Sequence, residues 1–185
     1  MLTFVLLALL LCLLLVPGLL SYRRLAAARQ RYRAAFSQVE VQLQRRYDLI
    51  PSLVETTQAC MAQETGALSR VMAARHQALA AVKAAKAGLE QGDTLAALTQ
   101  AESVLGGVLE QLLTVLESYP DLEDNATLHQ LMKELASTES RVSVAEQAFN
   151  DAVTDYSRVR GRFPATLLAA RCGFGSVRTL DIGTG

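Results

Sequence analysis

The chain has 185 residues, of which 51% are hydrophobic and 5% aromatic, and it contains no tryptophan. Its many alanines and leucines favour helix over sheet, because both residues lose little freedom on entering a helix. The formal net charge is zero, yet seven arginines and one acid precede position 47, while eleven basic and seventeen acidic residues follow from there. Such a mildly acidic body lacks the clustered basic face of a nucleic-acid-binding protein, so we expect no nucleic-acid partner.

The N-terminal stretch from Leu2 to Leu20 carries no charge. At 1.5 Å per residue it spans about 28 Å, which is close to the roughly 30 Å of a bilayer's hydrocarbon core. No basic residue precedes the stretch and no clear A-x-A site follows it. We therefore expect a retained single-pass membrane anchor over residues 1–22, and the competing interpretation is a cleaved signal peptide.

Five arginines come directly after this stretch: Arg23, Arg24, Arg29, Arg31 and Arg33. By the positive-inside rule they predict a cell-membrane protein with its N-terminus outside and its body in the cytoplasm. The alternative is that these arginines only extend to lipid headgroups, which fits either side of the membrane.

One helical pattern covers residues 24–88, with apolar residues at steps of three, four or seven. Glycines interrupt it there, and Asp93 or Thr94 is the expected cap of a second helix over about residues 95–118. Pro120 ends that second helix, because proline does not easily continue one.

The third helical pattern is the most regular, with apolar residues alternating by three and four as in a buried a/d seam. The seam residues are Leu128, Leu131, Leu135, Thr138, Val142, Ala145, Phe149, Ala152, Tyr156 and Val159. Gly161 ends the pattern, a short fourth helix opens at Pro164, and the glycine-rich tail, residues 175–185, is expected to be flexible. Because the connections are short, the predicted fold is all-α: an antiparallel up-and-down helical bundle over residues 23–174 with a long first helix.

The stretch QRRYDLIPSLVE, residues 44–55, places a proline inside the first helical pattern. Inside a helix, Pro51 deprives the Tyr47 carbonyl of its amide partner, so either the helix kinks or Asp48 caps a fresh helix there. Both alternatives predict a change of direction near residues 47–51. The group that lies around this bend is a candidate contact for a partner or for lipid, and the alternative is a salt-bridged, capped kink that only shapes the bundle. Its members are Arg45, Arg46, Tyr47, Asp48 and Pro51.

The sequence offers no recognisable catalytic, cofactor-binding or metal-binding motif. Cys12, Cys60 and Cys172 show no CxxC or Cys/His spacing, and neither histidine has a second one at ligand spacing. Thr138 lies in a Thr-Glu-Ser stretch, but it falls on the a/d seam, where a buried hydroxyl bonding its own helix is expected. We therefore assign no catalytic, cofactor-binding or metal-ligating residues.

Two stretches carry a family resemblance. VEVQLQRRYDLIPSLVETT and ESYPDLEDNATLHQLMKELASTESRVSVAEQAFNDAVTDYSRVRGRFPATLLA resemble the signature of the LemA family, and the resemblance covers about residues 24–174. It implies a bacterial membrane protein with an N-terminal span and a helical body, and no established enzymatic activity or cofactor. Two features depart from the family pattern: Tyr47 stands where a small residue is common, and the tail lacks the usual acidic, alanine-rich ending.

These observations together predict a non-enzymatic, membrane-anchored helical bundle. It would act through contact with an unidentified protein partner or through homo-oligomerisation. The alternative is a sensor or hydrolase whose site forms between bundle helices, and a concave site with converging titratable groups would favour that alternative.

Overall fold

The computed structural model describes residues 1–58, 61, 65–119, 122 and 124–183, without the side chains of residues 2–15. The described residues form five α-helices and no strand, which confirms the all-α prediction. The helices are α1 Leu2–Gln58, α2 Thr65–Ala87, α3 Gly92–Leu116, α4 Ala126–Arg160 and α5 Ala165–Arg171.

Helices α1 and α4 pack antiparallel and supply most of the aromatic core. Tyr32 meets Tyr156 edge-on with ring centroids 4.9 Å apart, and one turn further along α1, Phe36 meets Phe149 at 5.5 Å. All four side chains are fully buried. Because positions ascend in α1 while they descend in α4, the two helices run in opposite directions.

Helix α2 also runs antiparallel to α1. In the middle of α2, Arg75 donates to the Tyr47 carbonyl, and near the end of α2, Lys86 forms a 2.7 Å ion pair with Glu40, which precedes Tyr47 in α1. Helix α3 returns beside α2, so α1 to α4 form the predicted up-and-down bundle. We call the end where the α2–α3 turn meets residues 29–33 of α1 the neck end, and the opposite end the far end.

The prediction of one helix over residues 24–88 is wrong, because α1 and α2 are separate and joined by a reversal near Met61. Met61 lies in that connection and is fully buried. It therefore keeps the seven-residue apolar spacing between Val54 and Leu68 across a change of direction, which periodicity alone does not reveal. The second predicted helix exists but begins earlier than expected, at Gly92. The Thr94 hydroxyl does not cap this helix, because it donates to the Gly88 carbonyl at 2.7 Å.

Helix α4 confirms most of the predicted seam. Its buried residues are Leu128, Thr138, Val142, Ala145, Phe149, Val153 and Tyr156. Leu131 and Leu135 are half-buried instead, and Val153 takes the place of Ala152 in the core. The Thr138 hydroxyl donates to the Leu135 carbonyl at 2.7 Å, as expected for a buried threonine on its own helix.

The tail does not lie free as the sequence predicts, because it packs along the bundle through residue 183. Val177, Leu180 and Ile182 are buried. The Asn150 side chain donates to the Leu180 carbonyl and accepts from the Leu180 amide, both at 2.8 Å. Three apolar residues at steps of three and two thus hold a segment whose glycines suggested flexibility.

The predicted anchor, Leu2–Leu20, falls mostly on residues 2–15, whose side chains lie outside the described part of the chain. Among the residues that the structure describes, no helix is long and apolar enough to cross a membrane.

Candidate functional site: the seam between α3 and α4

Helices α3 and α4 pack little against each other, because α4 packs mainly on α1 and α3 mainly on α2. The space between them is called here the α3–α4 seam. In its neck half the tail takes the place of direct helix contact. Arg178 lies against Gly92 at the start of α3, while Leu180 is clamped by Asn150 of α4.

The far half of the seam is an open cleft of about 590 Å³ that begins where Ile182 and Gly183 end the tail's path. This volume lies within the roughly 300–1,000 Å³ typical of ligand sites. Its walls combine apolar and acidic side chains: Leu109, Glu110 and Leu113 of α3, and Met132, Leu135 and Glu139 of α4.

Small residues of α3 make room for this cleft. A Cβ atom added at Gly107 would meet nothing within 4 Å, and one added at Gly106 would meet only the Arg46 guanidinium, at 3.9 Å. An apolar pocket of about 470 Å³ adjoins the cleft toward the far end and shares Leu113 and Met132 with it. The two spaces therefore adjoin each other along the far half of the seam.

A buried charged cluster forms the floor of the open cleft. Glu102 is 2% exposed and Arg46 is 8% exposed, and their charged groups lie 3.3 Å apart. The fully buried Tyr47 hydroxyl donates to the second Glu102 oxygen. Burial raises the pKa of Glu102 and outweighs the lowering effects of Tyr47 and Arg46. Burial and the Glu102 charge raise the pKa of Tyr47, which keeps its phenol a donor.

A second carboxylate cluster lies in the neck half, around Glu90 of the α2–α3 turn. One Glu90 oxygen accepts from Arg29 at 2.7 Å, from Tyr32 at 2.8 Å and from Arg33 at 3.2 Å, and the other accepts from the Gly175 amide at 3.2 Å. Burial alone would raise the pKa of Glu90, but the hydrogen bonds from Tyr32 and Arg29 outweigh it, so that pKa is lowered. Burial and the Glu90 carboxylate raise the pKa of Tyr32 to about 12.

The five residues predicted as one partner contact do not share a surface. Arg46 and Tyr47 face the interior, whereas Arg45 and Asp48 are exposed. Asp48 accepts from the Gln44 amide at 2.8 Å, and the ion pair of Arg46 is with Glu102, so the predicted local salt bridge is wrong. The charged residues of this stretch therefore divide between the cleft floor and an exposed helix face.

Pro51 lies inside α1, which continues to Gln58, so the alternative of a fresh helix capped by Asp48 is wrong. The Tyr47 carbonyl that Pro51 leaves without an amide accepts instead from Nε of Arg75 at 2.6 Å. A carbonyl released from the helical ladder thus forms a cross-link between α1 and α2.

Glu102 is the residue of this site that the sequence analysis missed. The signal was present, because Glu102 falls between Leu98 and Leu105 on the apolar stripe of α3. Arg46 likewise lies three residues after Leu43 on the stripe of α1. Two opposite charges at core positions of different helices are best satisfied as a pair, since an unpaired buried charge is costly.

Comparison with known proteins identifies the family. The LemA family model matches residues 35–184. The chain belongs to the LemA family. The match includes the tail up to residue 184, so the tail is part of the LemA pattern although its ending departs from the expected composition.

Relatives of this LemA-family chain include magnetosome proteins. It is 26% identical over 171 residues to magnetosome protein MamQ of Magnetospirillum gryphiswaldense, and 28% identical over 171 residues to magnetosome protein MamQ 2 of Paramagnetospirillum magneticum. Each alignment covers 84% of this chain and 63% of the relative, so the chain spans less than two thirds of these proteins.

The lining of the open cleft contains a hydroxyl and several charged side chains. Ser103 is a hydroxyl side chain of its lining, and it has no hydrogen bond to a base among the described residues. Nor do the described residues contain a group of three or more His, Cys, Asp or Glu side chains placed to hold a metal ion. The cleft instead combines apolar walls, acidic side chains and a paired floor.

Proposed function

We propose that this LemA-family protein is a non-enzymatic, membrane-anchored docking bundle. It binds a short apolar segment of a partner protein, carrying basic residues, in the open cleft of the α3–α4 seam. The observation that carries this proposal is the contrast within the seam: the chain's own tail fills the neck half, and the same two helices leave an open cleft with apolar and acidic walls in the far half.

The tail indicates what kind of segment this seam accepts. It contributes Val177, Leu180 and Ile182 as buried side chains, and Asn150 of α4 pairs with both backbone groups of Leu180. Recognition of this type combines backbone hydrogen bonds for affinity with pockets for selected side chains. The adjoining cleft and apolar pocket extend the same path toward the far end.

The charges of the cleft favour a basic partner. Glu110 and Glu139 line the cleft and are exposed, whereas the Arg46 charge on the floor is paired with Glu102. Complementary charge at the margin of an interface contributes mainly to association rate and specificity. A lysine or arginine beside the partner's apolar residues would meet Glu110 or Glu139.

The anchor and its orientation rest on the sequence. The uncharged stretch from Leu2 to Leu20 and the arginines after it support a single span with the bundle in the cytoplasm. In cells, the protein should stay with membranes through an alkaline carbonate wash, and protease added outside should leave the bundle intact. Release by carbonate would contradict the anchor, and digestion of the bundle would contradict the orientation.

Partner binding can be tested by placing a charge in the cleft. Leu135→Glu introduces an acid into the apolar wall, and Val144→Glu is the matched control on the same helix, where the parent side chain is 68% exposed. Tagged full-length chain purified from membranes should recover the same partner with the parent and the control, and lose it with Leu135→Glu at unchanged helicity. Equal recovery by all three would contradict docking in the cleft.

The charge of the partner can be tested separately. Glu139→Lys should weaken recovery of that partner and reduce its dependence on salt, because an acidic contact is reversed. Glu134→Lys is the control, since Glu134 is exposed on the same helix and does not line the cleft. Stronger recovery with Glu139→Lys would indicate an acidic partner segment instead.

A second candidate function is sensing of a small ligand, favoured by the convergence of Arg46 and Glu102 at the cleft floor. Native mass spectrometry of the purified full chain distinguishes the two. A bound small molecule that is lost in Glu102→Gln and retained in Glu134→Gln would support the sensor. A protein partner with no small-molecule adduct would support docking.

A further inference from the structure

We propose that the corner between α4 and α5, residues 162–171, is a second membrane contact. It inserts Phe163 and Leu167 into the headgroup region of an anionic bilayer while flanking arginines bind lipid phosphates. This inference rests on the proposed anchor, and it adds a site on the folded body that fixes how the bundle meets the membrane.

The corner presents its largest apolar side chains to the outside. Phe163 is 84% exposed and Leu167 is 64% exposed. The exposure does not result from a detached helix, because Ala165 and Ala169 on the inner side of α5 are each 4% exposed. Helix α5 packs against both α1 and α4. The folded body therefore holds two large apolar groups in fixed, outward positions.

The corner is also basic. Between Asp155 and Asp181 the chain contains no acidic residue. Five arginines lie in this interval: Arg158, Arg160, Arg162, Arg171 and Arg178. Arg162 and Arg171 are exposed and flank the two apolar side chains in sequence. Exposed Phe and Leu beside arginines are the combination by which peripheral segments bind anionic lipid surfaces.

The position of the corner matches the expected height of the lipid headgroups. Phe174, three residues after α5, packs edge-on against Tyr22 with ring centroids 5.7 Å apart, and the Arg29 guanidinium lies 5.3 Å from its ring. Tyr22 follows the uncharged stretch that ends at Leu20 by two residues. A bilayer crossed by that stretch would place its headgroups beside α5.

A protein partner fits this corner less well than a lipid surface does. A stable protein interface buries about 800 Å² on each side, and it usually has an apolar centre larger than two side chains. A single aromatic ring, one leucine and adjacent arginines suit the shallow, negatively charged margin of a bilayer.

The absence of tryptophan from the chain allows a direct test. Phe163→Trp in the full chain creates a single fluorescent reporter, and Val144→Trp is the control at an exposed position in the middle of α4. Both variants are reconstituted into phosphatidylglycerol vesicles with brominated acyl chains. F163W should show blue-shifted emission and loss of intensity by bromine quenching, whereas V144W should resemble tryptophan in water.

Two results would overturn the proposal. Emission of F163W like that of V144W would mean that the corner lies in water. A blue shift without quenching would mean that protein, such as a second copy, covers it. A flotation step after a carbonate wash separates these failures from loss of the anchor. Protein that leaves the vesicles contradicts both the anchor and the corner contact. If the protein stays with the vesicles, the fluorescence result tests the corner contact by itself.

The role of charge is tested in the same reporter. Replacing Arg162 and Arg171 by glutamate should reduce the quenching of F163W in phosphatidylglycerol vesicles, because the phosphate contacts are lost. Arg141→Glu, an exposed change elsewhere on α4, should leave quenching unchanged. Quenching that is insensitive to the R162E/R171E change, and equal in neutral phosphatidylcholine vesicles, would contradict anionic lipid binding.

Discussion

The neck half of the α3–α4 seam is filled by the tail, whereas the far half is an open cleft with apolar and acidic walls. Glu90, in the neck half, is half-buried, and Glu102, in the far half, is almost completely buried. The pKa of Glu90 is lowered and the pKa of Glu102 is raised. The two halves of the seam therefore shift the pKa of a glutamate in opposite directions.

The difference arises from the donors that surround each carboxylate. Glu90 accepts hydrogen bonds from two arginines, one tyrosine and a tail amide. Among the described residues, Glu102 accepts from Arg46 and Tyr47 and is almost completely buried. Burial disfavours the charged form of both, and only a sufficient set of donors reverses that effect. The Gly175 amide of the tail therefore adds a donor in the neck half, while the far half holds no corresponding segment from the part of the chain that the structure describes.

The largest expected effect is a contrast in packing between the halves. Phe149→Ala should lower the free energy of unfolding by about 3–5 kcal/mol, because it removes a fully buried ring that packs on Phe36. Leu135→Ala, in the half-buried wall of the cleft, should cost only roughly 1 kcal/mol. Urea unfolding of the full chain in detergent measures both. Equal losses would mean that the far half is as tightly packed as the neck half.

The tail should contribute measurably to stability. Asn150→Ala removes both hydrogen bonds to Leu180 and should cost about 1–3 kcal/mol, since a backbone donor and acceptor are left unpaired. Hydrogen exchange of residues 177–182 should accelerate in this variant and not in Asp151→Ala, an exposed neighbour on the same helix. Unchanged exchange would show that the clamp does not hold the tail.

Loss of the hydrogen bond between Arg75 and the Tyr47 carbonyl should have a smaller effect on stability, and its size should depend on whether residue 51 is proline. Arg75→Ala should cost about 1–2 kcal/mol, because the Tyr47 carbonyl loses its donor. In a Pro51→Ala background the same change should cost less, because the amide restored at position 51 can bond that carbonyl. A double-mutant cycle measures this coupling. If the two losses of stability simply add, the Arg75 side chain does not replace the amide that Pro51 lacks.

The smallest expected effect is the direction in which each carboxylate's contribution to stability changes with pH. Because the pKa of Glu90 is lowered, its contribution to stability is complete above the ordinary value of 4.5 and is lost as pH falls through the lowered pKa. Because the pKa of Glu102 is raised, its contribution is complete below 4.5 and is lost as pH rises through the raised pKa.

Unfolding measured against pH tests both signs. The advantage of the parent over Glu90→Gln should shrink on acidification below 4.5. The advantage of the parent over Glu102→Gln should shrink as the pH rises above 4.5. Parallel pH profiles for the two variants would contradict the difference between the halves.

Much of the fold followed from periodicity, which predicted the all-α bundle, the core of α4 and the short helix after Pro164. Periodicity does not report direction, so the reversal at Met61 was missed, because a buried residue there preserves the spacing. The tail was misjudged because its glycines outweighed its three apolar residues.

The candidate site was only partly predictable. Arg46 was singled out, but its partner Glu102 lies in another helix, and the pairing of distant charges depends on how helices are packed. The role of Pro51 required knowledge of Arg75, which is 28 residues from the Tyr47 carbonyl that it bonds. The open cleft exists because α3 and α4 pack little against each other. A local sequence pattern does not report which helices pack together.

The most direct test of docking in the open cleft is site-specific photocrosslinking in native membranes. A photoreactive amino acid is placed at position 135 in the cleft wall, and at position 144 on the exposed face of the same helix as the control. We predict a discrete adduct from position 135 with a short apolar segment of another protein that contains lysine or arginine, and none from position 144. The absence of an adduct at position 135, equal adducts at both positions, or an adduct with a second copy of this chain would contradict partner docking in the cleft.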